Sequence, residues 1–383
     1  MVLGIIAEYN PFHSGHLFHL RESVRLTGAA HVAAVMSGNF VQRGEPALCD
    51  KHARTLMALK GGADAVIELP TLFAASAAGD FAEAAVTLLE KAGIVDCLCF
   101  GSENGGLAEI ETARDMLDEK PGFSERLKTS LGTGASYPAA FGAAARSGGS
   151  DVFGGPNGTL GALYLRALQK LNSNITPCTV KRGDFASASA VRRAARGGAG
   201  IAGAVPPFAR EILSGYGKFP SLNDYSLIFQ YLVKTQGRGW LSGVLGMDEG
   251  LENRFARAAG ENAGLDEILA AVKTKRYTRT RLQRAALHAV LGITKADAAR
   301  YKALGGPQYI RVLGFRREKA FLLREIERRA GLPMVVNLKN ARTVLNGPAL
   351  EMLENEIRYT DIYNLARGAA GKGAEYRIGP VIV

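Results

Sequence analysis

Cysteine is scarce, with 4 thiols in 383 residues. Cys97 and Cys99 are too close together for a C-x-x-C ligand pair, and Cys49 and Cys178 stand alone. Neither a disulfide scaffold nor a cysteine-built zinc site is expected, and the thiols read as those of a reduced, cytoplasmic protein. Long apolar runs are missing too. Nothing approaches the roughly 18 uninterrupted apolar residues of a membrane span, so no membrane partner is expected. The opening MVLGIIAE lacks a basic n-region and meets a carboxylate at Glu8, unlike a signal peptide. The common phosphate-loop signatures are also absent: there is no G-x-x-x-x-G-K-[ST], and the run 154–161 (GGPNGTLG) does not match G-x-G-x-x-G.

Acidic residues run short in one half only. Residues 1–200 hold 19 basic and 19 acidic side chains, whereas 201–383 hold 28 and 17, so the whole net charge of +11 sits in the second half. Within it, residues 273–342 carry 18 basic and 4 acidic side chains. A field this lopsided attracts polyanions, nucleic acid first among them; the plainer alternative is a solvated basic helical surface. The remaining composition, 47% apolar and 22% charged, is ordinary for a globular chain, and its length suffices for two cores.

Apolar runs of five or six residues at 2–7, 31–36, 65–69 and 95–100 alternate with helical patterns at 16–27, 51–60 and 80–92. Such alternation implies βαβ units and a mostly parallel sheet buried on both faces. The segment 37–46 reads as a loop. Helices are expected at 107–117, 124–131, 138–146 and 159–171, then a last strand at 177–181 and a helix from Ser189. The glycines and prolines of 196–207 (RGGAGIAGAVPP) mark a domain boundary. Beyond it no clear strand pattern returns until 376–383, so the second domain is expected to be mainly helical.

The informative stretch is 5–16 (IIAEYNPFHSGH), a strand, a tight loop and an H-x-G-H at a helix start; 3 of the 6 histidines fall at His13, His16 and His19. A helix N-terminus offers unpaired N–H groups and partial positive charge to phosphate, and Gly15 has no Cβ to hold phosphate away. His13 and His16, one turn apart, can donate to phosphate oxygens where charge builds as diphosphate leaves. A zinc site from the three histidines is a competing reading, as are plain surface histidines; His19 reads as packing. Ser187, Ser189 and Arg192, after a strand ending in Lys181–Arg182, can hold phosphate from the far side or merely cap a helix.

These residues, with the stretches 4–20, 36–47, 62–70, 100–105, 155–165, 180–182, 275–284 and 309–315, resemble the bacterial tRNA(Met) cytidine acetate ligase family of the H-x-G-H nucleotidyltransferases. The resemblance implies an α/β fold. Residues 1–200 would form a Rossmann-like, ATP-binding catalytic domain, and 201–383 a mainly helical, basic, tRNA-binding domain. It implies a ligase that uses ATP with Mg²⁺ to turn acetate into acetyl-adenylate, then acetylates N4 of the wobble cytidine of elongator tRNA(Met). Catalytic residues would be His13 and His16. ATP contacts would be Ala7, Glu8, Tyr9, Asn10, Pro11, Phe12, His13, Ser14, Gly15, His16, Leu17, Phe18, His19 and Leu20, with Gly101, Asn157 and Arg182. After Arg182 the family's longer loop is cut to Gly183–Asp184–Phe185.

In the basic stretch, Lys275, Arg276, Arg279, Arg281 and Arg284 would hold RNA phosphates while Tyr277 stacks a base. Arg311, Arg316, Arg317 and Lys319 are expected to add a second cluster. No general base for acetyl transfer stands out; Asp64, Glu68 and Asp80 are candidates. Two rivals stay open: an adenylyltransferase acting on a small phosphorylated metabolite, and a nucleic-acid-binding protein with an idle nucleotide fold.

Overall fold

The expected runs become β1 (Val2–Ala7), β2 (His31–Ser37), β5 (Ala65–Leu69), β6 (Cys97–Ser102) and β7 (Thr176–Lys181); the other strands are the short β3 (Phe40–Val41) and β4 (Glu45–Pro46), then β8 (Ile310–Phe315), β9 (Met334–Val335) and β10 (Val381–Ile382). This is a computed structural model, and it describes residues 1–117, 122–369 and 371–383. The main sheet has the order β10-β8-β5-β2-β1-β6-β7, with β9 paired to β8. Strands β5, β2, β1, β6 and β7 are parallel. In chain order that is 3-2-1-4-5, the doubly wound arrangement whose ligand crevice opens at the carboxyl ends where the order reverses, here between β1 and β6.

Crossovers supply the layers. Helix α1 (Ser14–Thr27) joins β1 to β2, α2 (Lys51–Gly61) joins β2 to β5, and α3 (Ala78–Ala92) leads to β6. Helix α4 (Pro156–Lys170) precedes β7, and α5 (Ala188–Arg196) follows it. Period-2 alternation splits each strand between two faces. Leu3, Ile5, Ala34, Met36 and Val66 pack on the side of α1 and α2. Val2, Val35, Ile67, Leu98 and Phe100 pack on the opposite side with α3 and α4. That second cluster continues without a break into the later helices, through Phe229, Phe255 and Leu287 of the basic half. The latter carries α6 (Arg279–Leu291) and the long α7 (Gly347–Ala366).

Three features differ from the sequence reading, one of them the two-residue strand β9, which pairs with β8 in a half where no strand was expected before 376. Segment 37–46 is a small buried hairpin, β3 against β4. Strand β8 lies in the second half, where none was expected, and adds antiparallel to β5. Its alternation is broken by Arg311, a cation in an otherwise apolar strand. The fold accommodates that cation: Arg311 pairs with Glu68 at 3.0 Å and with Glu375 at 2.6 Å. Lys51 at the start of α2 pairs with the same two carboxylates, at 2.6 Å from Glu68. All four side chains are buried.

Glu356 of α7 is also buried and accepts hydrogen bonds from Thr71 at 2.6 and 2.7 Å. Burial foremost, then the nearby Glu68, pushes its carboxyl up to about 8, so it stays protonated at neutral pH. Two cations thus face two carboxylates, and the network clamps α2, β5, β8 and the C-terminal segment together. Removing one partner strands charge in the interior. Lys51→Met is expected to lower unfolding free energy by about 3–5 kcal/mol, read from the urea midpoint; a loss under about 1 kcal/mol would contradict the clamp.

Candidate active site where the sheet opens

The β1–β6 ladder holds only two residue pairs, Leu3↔Cys97 and Gly4↔Leu98, whereas β1–β2 holds six. Past Gly4 these two strands no longer pair with each other, and a cleft of about 370 Å³ opens at their carboxyl ends. Of the expected ATP contacts, Ala7, Glu8, Tyr9, His13, Gly15, His16, Phe18 and His19 line it, as do Gly101, Asn157 and Arg182. The alternating remainder packs instead. Asn10, Pro11, Phe12 and Leu20 are buried. Ser14 and Leu17 do not line the cleft either.

Sequence reasoning missed several lining residues: Gln42 and Arg43 from the hairpin, Tyr164 from α4, and Phe185. A hairpin read as a loop gave no signal for the first two. Phe185, in the 183–185 loop, packs against Phe18 with ring centroids 5.3 Å apart and planes tilted by 41°. Arg192 lines the cleft but is buried, bonded to the Asn10 carbonyl at 3.0 Å and paired with Glu45 at 3.0 Å. Ser187 caps α5 by accepting from the Ala190 N–H. This part of the far-side constellation is therefore committed to the fold.

His13 is the N-cap of α1. Its Nδ1 accepts from the Gly15 N–H at 3.0 Å, and the His13 N–H in turn donates to His16 Nδ1 at 3.3 Å. A ring nitrogen that accepts carries no proton, so each neutral imidazole holds its proton on Nε2. The rings stack at 3.7 Å with 20° between planes. A Cβ on Gly15 would lie 2.9 Å from the His13 ring, so its missing side chain makes room for the cap. One expectation is corrected here. The Ser14 N–H donates to the Ala204 carbonyl at 3.0 Å and the Gly15 N–H is taken by His13, so these first-turn amides are not free for phosphate. What this helix start still has to offer an anion is its dipole and its imidazoles.

Electrostatics sharpen this. Burial foremost, then Arg182 and Arg192, pushes His13 down to about 4. Burial and the neighbouring His13 and His19 rings hold His16 well below the usual range. Both are neutral donors at pH 7. Formal positive charge comes from Arg43, Lys181 and Arg182, all exposed at the rim. The candidate bases lie elsewhere. Asp64 accepts from the Val32 N–H at the opposite sheet edge, Glu68 is in the ion clamp, and Asp80 pairs with Lys302. Among the described residues, the one carboxylate lining the cleft is Glu8, whose Oε1 accepts from the Gln42 N–H at 2.9 Å.

The basic half meets the cleft through the hairpin. Gly44, at φ +74°, packs where a Cβ would fall 2.3 Å from the Arg284 backbone nitrogen, and Arg284 donates to the Gln42 carbonyl at 3.3 Å. Lys275, Arg276 and Arg279 are exposed nearby in sequence. Arg276 pairs with Glu249 and Arg279 with Asp266. Tyr277 is not an open stacking face: it is buried, its hydroxyl donates to Glu249, and Arg281 lies 4.9 Å over its ring. The second cluster is corrected too. Arg311 is locked in the clamp. Phe315 registers with Ala65, the first residue of β5, so Arg316, Arg317 and Lys319 sit at the sheet edge away from the cleft.

The HIGH Nucleotidyl Transferase family matches residues 1–375. The chain is 40% identical over 388 residues to a tRNA(Met) cytidine acetate ligase of Thermoanaerobacter sp. (strain X514), covering 95% of each. It is 37% identical to the enzyme of that name from Acetivibrio thermocellus, covering 94% of each. Its fold is similar to the crystal structure of Thermotoga maritima TmcAL bound with alpha-thio ATP. That likeness has a TM-score of 0.92 and 32% identity over 100% of this chain and 99% of that one.

The tautomer is measurable. In long-range ¹H–¹⁵N spectra of histidine-labelled protein, His13 is expected as the Nε2–H form at pH 7, titrating only as pH falls toward about 4. A midpoint near the unperturbed ~6.5, or an Nδ1–H signature, would contradict the cap.

Proposed function

Because the chain belongs to the tRNA(Met) cytidine acetate ligases of the HIGH nucleotidyl transferase family, we propose that it activates acetate as acetyl-adenylate and acetylates N4 of the wobble cytidine of elongator tRNA(Met). It is an ATP-dependent ligase. The observation that carries the reading is the convergence of His13, His16, Gly101, Asn157 and Arg182 on one cleft where the sheet opens.

An acetate oxygen attacks the α-phosphorus and diphosphate leaves in line. The Nε2–H groups of His13 and His16 donate to the oxygens that gain charge, and Arg182 clamps phosphate. Among the described residues no three His, Cys, Asp or Glu side chains gather into a metal cage. Mg²⁺, expected with ATP, would be carried mostly by the triphosphate and water. In the second step the cytosine amine attacks the acetyl carbonyl and AMP leaves. A mixed anhydride is reactive enough for this weak nucleophile, and no cysteine lines the cleft to carry an acyl group.

Residues 1–200 then serve adenylation. Residues 201–383 serve tRNA, with Lys275, Arg276, Arg279, Arg281 and Arg284 holding phosphates and Tyr277 bracing Arg281 from beneath. No helix among the described residues is long and apolar enough to cross a membrane, and a cytoplasmic site of action suits the substrates.

Incubating tRNA with ATP, labelled acetate and this protein is expected to give labelled N4-acetylcytidine by nucleoside mass spectrometry; unlabelled cytidine would reject the reading. His13→Ala should cut acetate-dependent ATP–diphosphate exchange by about 10²–10³-fold, the loss typical of one transition-state donor, and keep tRNA binding. Replacing Arg276, Arg279 and Arg281 with glutamine should weaken tRNA binding and reduce its log–log salt slope by about 2, leaving exchange intact. An unchanged slope would move the RNA site off this helix.

A further inference from the structure

The transfer step has to dispose of a proton, since the amine nitrogen that forms the amide gives one up. We propose that Glu8 is the general base that takes it. This rests on the acetyl-transfer reading above and adds a residue role to it.

The other lining groups are unfit for the task. His13 and His16 spend their Nδ1 lone pairs on the Gly15 and His13 N–H groups, so what they turn outward is a proton, not an acceptor. The Nε2 of His19 is sealed from solvent with no hydrogen-bond partner, and burial holds that ring at about 4, too weakly basic to compete. The Tyr164 hydroxyl is pushed up by burial and by Glu8 itself, and stays protonated. Lys181, Arg182, Arg43 and Arg192 are cations.

Glu8 has the opposite properties. It follows directly on β1, at the mouth of the crevice. One oxygen is anchored by the Gln42 backbone N–H at 2.9 Å, which fixes the carboxylate in place at a small cost in basicity. Burial raises its carboxyl above the usual range. Glu45 adds to the rise, while the Gln42 N–H, Arg192 and Arg43 oppose it. A carboxylate whose pKa is raised is a stronger base than an ordinary one. The step balances as follows. The N4 lone pair forms the C–N bond to the acetyl carbon. The N4 proton passes to Glu8, and the C–O bond to phosphate breaks with its electron pair leaving on AMP. Glu8 then returns the proton to water.

The two half-reactions separate the claim from the reading beneath it. Synthetic acetyl-adenylate and tRNA(Met) bypass activation, and N4-acetylcytidine is read in single turnover from pH 5 to 8.5. Wild-type transfer should rise with pH through one group titrating above the ordinary carboxylate range. Glu8→Gln should transfer at least 100-fold more slowly with a flat profile, falling at least tenfold further than its ATP–diphosphate exchange, and Glu8→Asp should recover part of the rate and the titration. A wild-type profile without that titration, a Gln variant as fast as wild type, or equal loss in both half-reactions would overturn the role. If the wild-type protein transfers nothing from the synthetic adenylate, the acetyl-transfer reading itself fails.

Discussion

The site depends on one hydrogen bond, from the Gly15 N–H to His13 Nδ1. It closes the first turn of α1, and it decides which imidazole nitrogen keeps a proton. A serine or aspartate would cap the helix as well. Neither would leave a donor directed away from the cap. The reciprocal bond from the His13 N–H to His16 Nδ1 does the same for the second ring. Helix formation and chemistry therefore share the same atoms, and a substitution at His13 acts on both.

The parallel sheet was legible because its strands are buried on both faces and so appear as unbroken apolar runs. The H-x-G-H loop was legible because a strand, a turn and a helix start follow one another within a dozen residues. Strand β8 was not. It joins β5 antiparallel after a long helical stretch, and Arg311 interrupts its apolar pattern. The partners that make a buried arginine tolerable, Glu68 and Glu375, lie far away in sequence. Charge counting had the same blind spot. It registered Arg311 as a surface cation and could not see that Arg316, Arg317 and Lys319 fall on the wrong sheet edge. Tyr277 likewise reads as an aromatic among cations, whereas its burial depends on Glu249 and on the helix that carries Arg281.

The hairpin β3–β4 explains how the halves meet at the cleft. Its tip offers backbone in two directions: the Gln42 N–H holds Glu8, and the Gln42 carbonyl receives Arg284 from α6. Gly44 lets the tip press against the α6 backbone, closer than any side chain would allow. One residue of loop thus touches both the catalytic cleft and the basic helix, and its contribution is made by main-chain atoms. Pattern reading sees side chains, so such a junction leaves no trace in composition.

The neutral state of the histidine pair follows from the same geometry. Two cations 3.7 Å apart would repel by about 4 kcal/mol even at an effective dielectric constant of 20, so the stacked rings cannot both be charged. Adenylation brings an acetate anion to a triphosphate, and some positive charge has to screen that approach. In the proposed reaction Arg43, Lys181 and Arg182 would supply it from exposed positions, where a guanidinium or ammonium keeps its hydration until a ligand arrives. The buried imidazoles then contribute directed N–H donors without the desolvation cost of a buried charge. Charge at the rim and neutral donors within is the division by which, in the proposed reaction, one cleft would attract two anions and still stabilise the diphosphate that departs.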